Sequence, residues 1–408
     1  MLFIPLGHRK MKIHHFLGWA DMRKFTVAVL ALFLSLGAAI ASAVEQIPVE
    51  DFFRLSSFNE MKLSPDGKYI AATVPLEGST ALVIMDLKTK KITATHKPQN
   101  TVHVISFFWV NPERVMYSIA YVAGKFARPN RSGGIYAINA DGSNRGTQYA
   151  TEYRPTVIDI LKSDDKFVLV QYYSDRKGIS YGKMNVYNGS ILPTRLSSPG
   201  PNYGSFYVDN NEQVRMYFSA KNMNERTAYV RIGDKWEWKI LHESKASGNE
   251  ITPMGFSKDN NIFYYQKTHS DGPNSLNTYN FTTEEHREIV RDDNVDPWAL
   301  ISSPLDGSPF AVVFRDGFPR YHWLDKSNPY AVDLMSMQAA FPGTEVVNVS
   351  STLNGEKSIY AVASDTHSSE FYLFDHKTKK AEHIAERMEW MNPEQMAMME
   401  PVKLKARD

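Results

Sequence analysis

The stretch that decides the fold is "MKLSPDGKYIAATV", residues 61–74. A strand-forming run enters Ser64-Pro65-Asp66-Gly67, and a second such run leaves it. Pro presets φ for the turn, and Gly supplies the positive φ that closes it. A short loop follows, and "TALVIMDLKTKKITAT" (80–95) then reads as two more strands joined by a polar Lys-Thr-Lys turn. Four strands make one unit.

The same grammar recurs in degraded form along the chain. The first hairpin reappears as "SFFWVNPERVMYSIA" (106–120), "DILKSDDKFVLVQYY" (159–173) and "SFYVDNNEQVRMYFS" (205–219). It continues as "MGFSKDNNIFYYQK" (254–267), "LISSPLDGSPFAVVF" (300–314) and "VSSTLNGEKSIYAVA" (349–363). Each is followed by a second hairpin, such as "RYHWLDKSNPYAVDL" (320–334) or "EFYLFDHKTKKAEHI" (370–384). The seven units recur about every 45–54 residues, the period of a four-stranded propeller blade. The expected fold is therefore all-β: a seven-bladed β-propeller over 59–387, a helical lead-in over 44–58 and a linker with a short helix over 388–408.

Composition supports strands and narrows the chemistry. The chain has 408 residues, a formal net charge of +1, 43% hydrophobic residues and 12% aromatic ones. Aromatics favour strands, and near-neutrality gives no electrostatic case for a nucleic-acid partner. There is no Cys, which excludes disulfides, thiolate nucleophiles and Cys-ligated zinc. Near the N-terminus, Arg23 and Lys24 precede "FTVAVLALFLSLGAAI", and "ASA" follows at 41–43. That is the pattern of a cleavable signal peptide over 22–43, cut after Ala43, the alternative being an uncleaved membrane anchor. Residues 1–21, with His14 and His15, read as a wrongly assigned start ahead of Met22. The mature protein is expected in the periplasm or secreted, with no membrane segment after cleavage.

Propeller topology assigns the loops to faces. The turns between the first and second strands of each blade lie on one face. The loops between second and third strands lie on the other, together with the blade-to-blade crossovers and both chain ends. This second face, the loop face, carries Lys125, Arg128 and Arg131 in "YVAGKFARPNRSGG" (121–134), Arg176, Arg226, and Arg315 and Arg320 in "RDGFPR" (315–320). The cluster reads either as a docking or ligand surface or as a solvated rim. Asp175, Asp271, Asp316 and Asp365 open four of these loops and read as acceptors for loop amides.

No catalytic residue is assigned from pattern. There is no G-x-S-x-G elbow and no H-E-x-x-H. "RDDNVDP" (291–297) lacks the Gly and Glu of a calcium loop and reads as a blade connection with an Asp cap. The His residues His96, His103, His242, His269, His286, His322, His367, His376 and His383 are scattered singly. No metal ligand set and no cofactor are expected.

An exported chain with a helical lead-in, Ser-Pro-Asp-Gly blades and the ending "MNPEQMAMMEPVKLKARD" resembles the front part of the prolyl oligopeptidase (S9) family of serine peptidases, most of all its acylaminoacyl-peptidase-like bacterial branch. In that family a propeller precedes an α/β-hydrolase domain, and Pro401, Ala406, Arg407 and Asp408 match the junction between the two. The resemblance implies a propeller that gates peptide access to a hydrolase domain missing from this chain. The family's Ser, Asp and His lie in that domain, so no position here inherits a catalytic role. Two alternatives stay open: a stand-alone propeller that binds a protein or peptide, and a propeller that pairs in trans with a separate hydrolase.

Overall fold

The structure is a computed structural model that describes residues 47–124, 127–144, 155–174, 178–200, 203–222, 225–232 and 237–405. Residues 50–408 form one compact unit, which carries the fold. It is an all-β propeller with few helices.

The sheets follow in chain order. The first has seven strands, from Glu60–Leu63 to Asn130–Asn139. The second (156–197), third (204–243) and fourth (251–291) have four strands each, the fifth (297–323) has three and the sixth (345–386) has four. Within each of these last five, consecutive strands pair antiparallel as a meander.

Among the described residues seven separate four-stranded blades do not form. Five sheets stand as separate blades, and the first two repeats share the seven-stranded sheet. In that sheet the four strands of 60–96 and the three of 102–139 are bridged by one parallel pair, Thr80 with His103. The Thr80 hydroxyl and His103 Nδ1 lie 3.0 Å apart and reinforce that seam. The second hairpin of the second repeat was expected over "GGIYAINADGSNRGT" (133–147), whose end from 145 lies outside the described residues.

The fifth sheet is short because a helix follows its third strand. Where a second hairpin was expected over 320–334, the strand Phe318–Trp323 is followed by a helix, Pro329–Ala340. Asn328 caps it by accepting from the Tyr330 amide at 3.0 Å, and Pro329 takes the first turn, where its missing N–H costs nothing. Ala331, Leu334 and Met337, at helical spacing, then pack on Phe310, Val346 and Tyr360. The helix covers apolar surface that an outer strand would have covered.

The expected linker helix is also smaller than foreseen. It is one 3-10 turn, Pro393–Gln395, capped by the Asn392 side chain. Met396 after it is already extended. The lead-in helix is Val49–Phe53.

One core cluster lies inside the seven-stranded sheet, around Leu82, Phe107 and Tyr117, and the other clusters described sit between neighbouring sheets. Val110 and Met116 of the first sheet pack on Val168 and Met184 of the second, and Met216 of the third packs with Phe263 of the fourth. Each such fully buried side chain contributes about 1.5–3 kcal/mol by leaving water. The last cluster closes the ring: Met61, Leu63 and Ile70 of the first sheet pack on Ile359 and Phe371 of the sixth. The Leu63 amide donates to Ser350 Oγ at 2.9 Å, and Arg387 Nη2 to the Asn59 carbonyl at 2.8 Å. Among the described residues no strand is exchanged between first and last sheets, so packing and hydrogen bonds close the circle.

Candidate functional site

The loop face is built by the ends of the second and third strands. Both terminal segments of the propeller arrive there, as topology requires. Trp390 Nε1 donates to the Asp51 carbonyl at 3.0 Å, and the Arg54 guanidinium lies 4.4 Å from the Trp390 ring centre. The C-terminal segment then crosses the loops of the fifth and sixth sheets. Asp365 accepts from the Met399 amide, and Asp316 pairs with Lys403 at 2.9 Å. Pro401 lies against Gly317, whose φ of +81° and missing Cβ leave the space it fills. Ala406, Arg407 and Asp408 lie outside the described residues.

The loop-opening Asp residues therefore do something other than shape their own turns. Asp271 is paired with Arg291 at 2.6 Å, and that guanidinium holds its carboxyl below the usual range. Asp316 and Asp365 hold the chain's tail. Asp175 lies outside the described residues. In the connection 291–297, Asp292 caps as expected, accepting from the Asn294 and Val295 amides.

The basic residues are spread around this face rather than gathered. Arg128 and Arg131 are exposed on the first sheet, while Lys125 and Arg176 lie outside the described residues. Arg226 pairs with Glu250 at 3.0 Å, and Arg320 with Asp292 at 2.7 Å. Arg315 is paired with Glu345, and its guanidinium lies 4.7 Å from the centre of the Trp298 ring.

That last group lines an axial cavity of about 450 Å³, walled mainly by the fifth and sixth sheets and reached by Ile160 and Lys162 after the first strand of the second. Its walls include Ile301, Phe310, Val347 and Val349. Trp298, Val347 and Val349 are exposed to it although they sit in first strands. Sequence reasoning assigned Trp298 and Glu345 no role. The signal was there in "DPWAL" and "GTEVVNV", apolar residues at first-strand positions where a packed blade needs only alternate ones. Among the described residues no three His, Asp or Glu side chains gather as a metal site, and no helix is long and apolar enough to cross a membrane.

No family model matches the chain, and no curated protein matches it. Solved structures do. One is a prolyl endopeptidase studied for the role of inter-domain dynamics in catalysis and specificity, at 13% identity and a TM-score of 0.53, aligned over 90% of this chain and 56% of that one. Apo prolyl oligopeptidase B from Galerina marginata aligns at 11% identity and a TM-score of 0.55, over 92% of this chain and 58% of its own. Puromycin hydrolase aligns at 12% identity and a TM-score of 0.51, over 85% and 57%. The fold resembles the N-terminal propeller of prolyl oligopeptidases. The chain spans less than three fifths of the length of each of these three structures, and at such identities the likeness is one of fold.

Proposed function

We propose that this chain is the propeller portion, without the peptidase domain, of an exported, periplasmic serine peptidase of the prolyl oligopeptidase type. Its loop face docks an α/β-hydrolase module and controls the passage of peptides to that module. The observation that carries this reading is the apolar surface which both terminal segments of the propeller leave on the loop face. Phe52 and Phe53 extend from the lead-in helix, 51% and 82% exposed. Met398, Met399, Val402 and Leu404 extend from the tail, Leu404 being 89% exposed. Apolar side chains gathered on one face mark an interaction site. The prolyl oligopeptidase likeness supplies the occupant, since this chain accounts for little more than half of those proteins. The leader "MRKFTVAVLALFLSLGAAIASA" supports export.

A stand-alone binding propeller, or one pairing in trans, is the second reading. It is favoured by a ring that closes on its own residues through the cluster around Ile359 and Phe371.

Intact mass separates the readings. Native protein captured from the source cell's periplasm should exceed residues 44–408 by a whole hydrolase module. A mass matching 44–408 overturns the first reading in favour of the second. Arg128→Ala with Arg131→Ala should then change peptide hydrolysis where the hydrolase is present. Unchanged kcat/KM there removes those two residues from the docking face.

A further inference from the structure

A line of polar side chains runs from the helix Pro329–Ala340 to the wall of the axial cavity. Asp333 on the helix is 2% exposed. Its Oδ2 lies 2.7 Å from His376 Nδ1, and Lys379 Nζ donates to its two oxygens at 2.6 and 2.8 Å. His376 Nε2 lies 2.7 Å from Ser358 Oγ, and Ser358 Oγ lies 2.7 Å from Ser351 Oγ. Ser351 and Ser358 are cross-strand partners in the sixth sheet. Ser358 is fully buried, whereas Ser351 is partly exposed and lines the cavity. Asn348 Nδ2 donates to Ser351 Oγ at 3.0 Å and to Ser358 Oγ at 3.3 Å.

The hydrogen bonds admit a relay direction in which Ser351 O–H donates to Ser358 Oγ, beside a second in which it donates to Asn348 Oδ1 at 3.2 Å. A carboxylate held by Lys379 accepts, so His376 Nδ1 carries the proton. A neutral imidazole then has its lone pair on Nε2, which accepts from Ser358 O–H. Ser358 Oγ can in turn accept from Ser351 O–H. Burial holds the His376 pKa below its usual value, although Asp333 opposes this, so the ring is a base at neutral pH. Lys379 balances the charge of the buried Asp333, and His376 Nδ1–H satisfies its remaining hydrogen bond. Neither role requires the hydroxyl relay to continue to a cavity wall.

We propose that Ser351 is a nucleophilic serine that opens on the axial cavity, deprotonated by His376 through Ser358 and serving small esters with apolar acyl groups. The apolar walls Ile301, Phe310, Val347 and Val349 define that acyl class. Ser351 Oγ bonds to the carbonyl carbon while its proton passes to Ser358 and the Ser358 proton passes to His376 Nε2. The ester C–O bond breaks, and the leaving alkoxide takes the proton back along the same path. Water repeats the sequence on the acyl-serine, so ester and water give acid and alcohol. Asn348 Nδ2, donating to both Ser351 Oγ and Ser358 Oγ, holds the two hydroxyls in line.

The test is to treat the folded full chain with a fluorophosphonate and with p-nitrophenyl butyrate, and to map the phosphonylated peptide by mass spectrometry. The adduct is expected on Ser351, absent in Ser351→Ala and about 10²-fold slower in His376→Gln. Ser358→Ala, a small change that guards against misfolding of the His variant, should slow it similarly. The labelling rate should also fall as acid protonates His376, which Asp333, Lys379, Asp375, Tyr330 and Tyr360 face. Mapping separates Ser351 from the serine of any attached hydrolase. The proposal is overturned by an adduct on Ser358, by Ser351 labelling no faster than in urea, or by an unchanged rate in both relay variants at wild-type melting temperature.

Discussion

Lys403 Nζ lies 2.9 Å from Asp316 Oδ2 and ties the tail to the loop of the fifth sheet. The Lys side chain is 73% exposed, so water and salt screen the pair. Such a surface bridge contributes under about 1 kcal/mol. Lys403→Ala should therefore leave the melting temperature unchanged while exposing the tail to proteases. Limited trypsin digestion followed by mass spectrometry checks this. A drop in melting temperature of several degrees would mean that the tail is part of the core.

The Ser-Pro-Asp-Gly turn gives a sharper prediction about stability. Gly67 has φ of +70°, and a Cβ placed there would meet Thr352 Cγ2 at 3.0 Å. Gly67→Ala should cost about 1–2 kcal/mol from the backbone alone, with the contact adding to it. Asn260 holds the equivalent place in the fourth sheet at φ +56°. Asn260→Gly relieves backbone strain but gives up the bond that its Oδ1 accepts from the Asn210 amide at 2.9 Å. Urea unfolding of the two variants should show Gly67→Ala as the clearly weaker protein.

What the sequence made legible was local. Ser64 accepts from the Gly67 and Tyr69 amides within one turn, so the motif announces its own geometry. The same local logic found the Asp292 cap. The helix Pro329–Ala340 was missed because Tyr330 and Val332 read as strand formers, while its real warrant is Ala331, Leu334 and Met337 packing on Phe310 and Val346. Those partners come from two sheets, and no window of sequence holds them together. The Asp333–His376–Ser358 line is non-local in the same way: three scattered residues meet only once the helix docks on the sixth sheet. The merging of the first two repeats depends on one pair, Thr80 with His103, which no repeat pattern encodes.

Arg114 is another residue whose role only packing reveals. It is 1% exposed, with Nε donating to the Val186 carbonyl at 2.6 Å and Nη1 to Asn139 Oδ1 at 2.5 Å. Its guanidinium also lies 5.1 Å from the Tyr187 ring centre, so it joins the first sheet to the second. Hydrogen bonds from a buried charge contribute about 1.5–3 kcal/mol each. Arg114→Met keeps the stem but strands the Val186 carbonyl. It should cost about 3 kcal/mol or more, seen as a lower urea midpoint with an unchanged m-value.

His376 sets the pH dependence near neutrality. Burial lowers its folded-state pKa from the ordinary 6.5, against the pull of Asp333. The unfolded chain therefore binds the proton more readily than the folded one. Its contribution to stability is full above the unfolded pKa and is lost as pH falls through the folded one. His286, lowered by burial and by His242 and Lys267, acts in the same direction. Asp and Glu groups with lowered pKa values titrate further toward acid, and although burial raises Asp159, the window just below the ordinary histidine value belongs mainly to histidine. Urea midpoints should fall across that window, with a slope of up to about 1.4 kcal/mol per pH unit for each proton taken up. His376→Gln lowers stability at neutral pH by leaving Asp333 with Lys379 alone, and should flatten the slope. A slope as steep as that of the wild type would show that His376 is protonated equally in the folded and unfolded states.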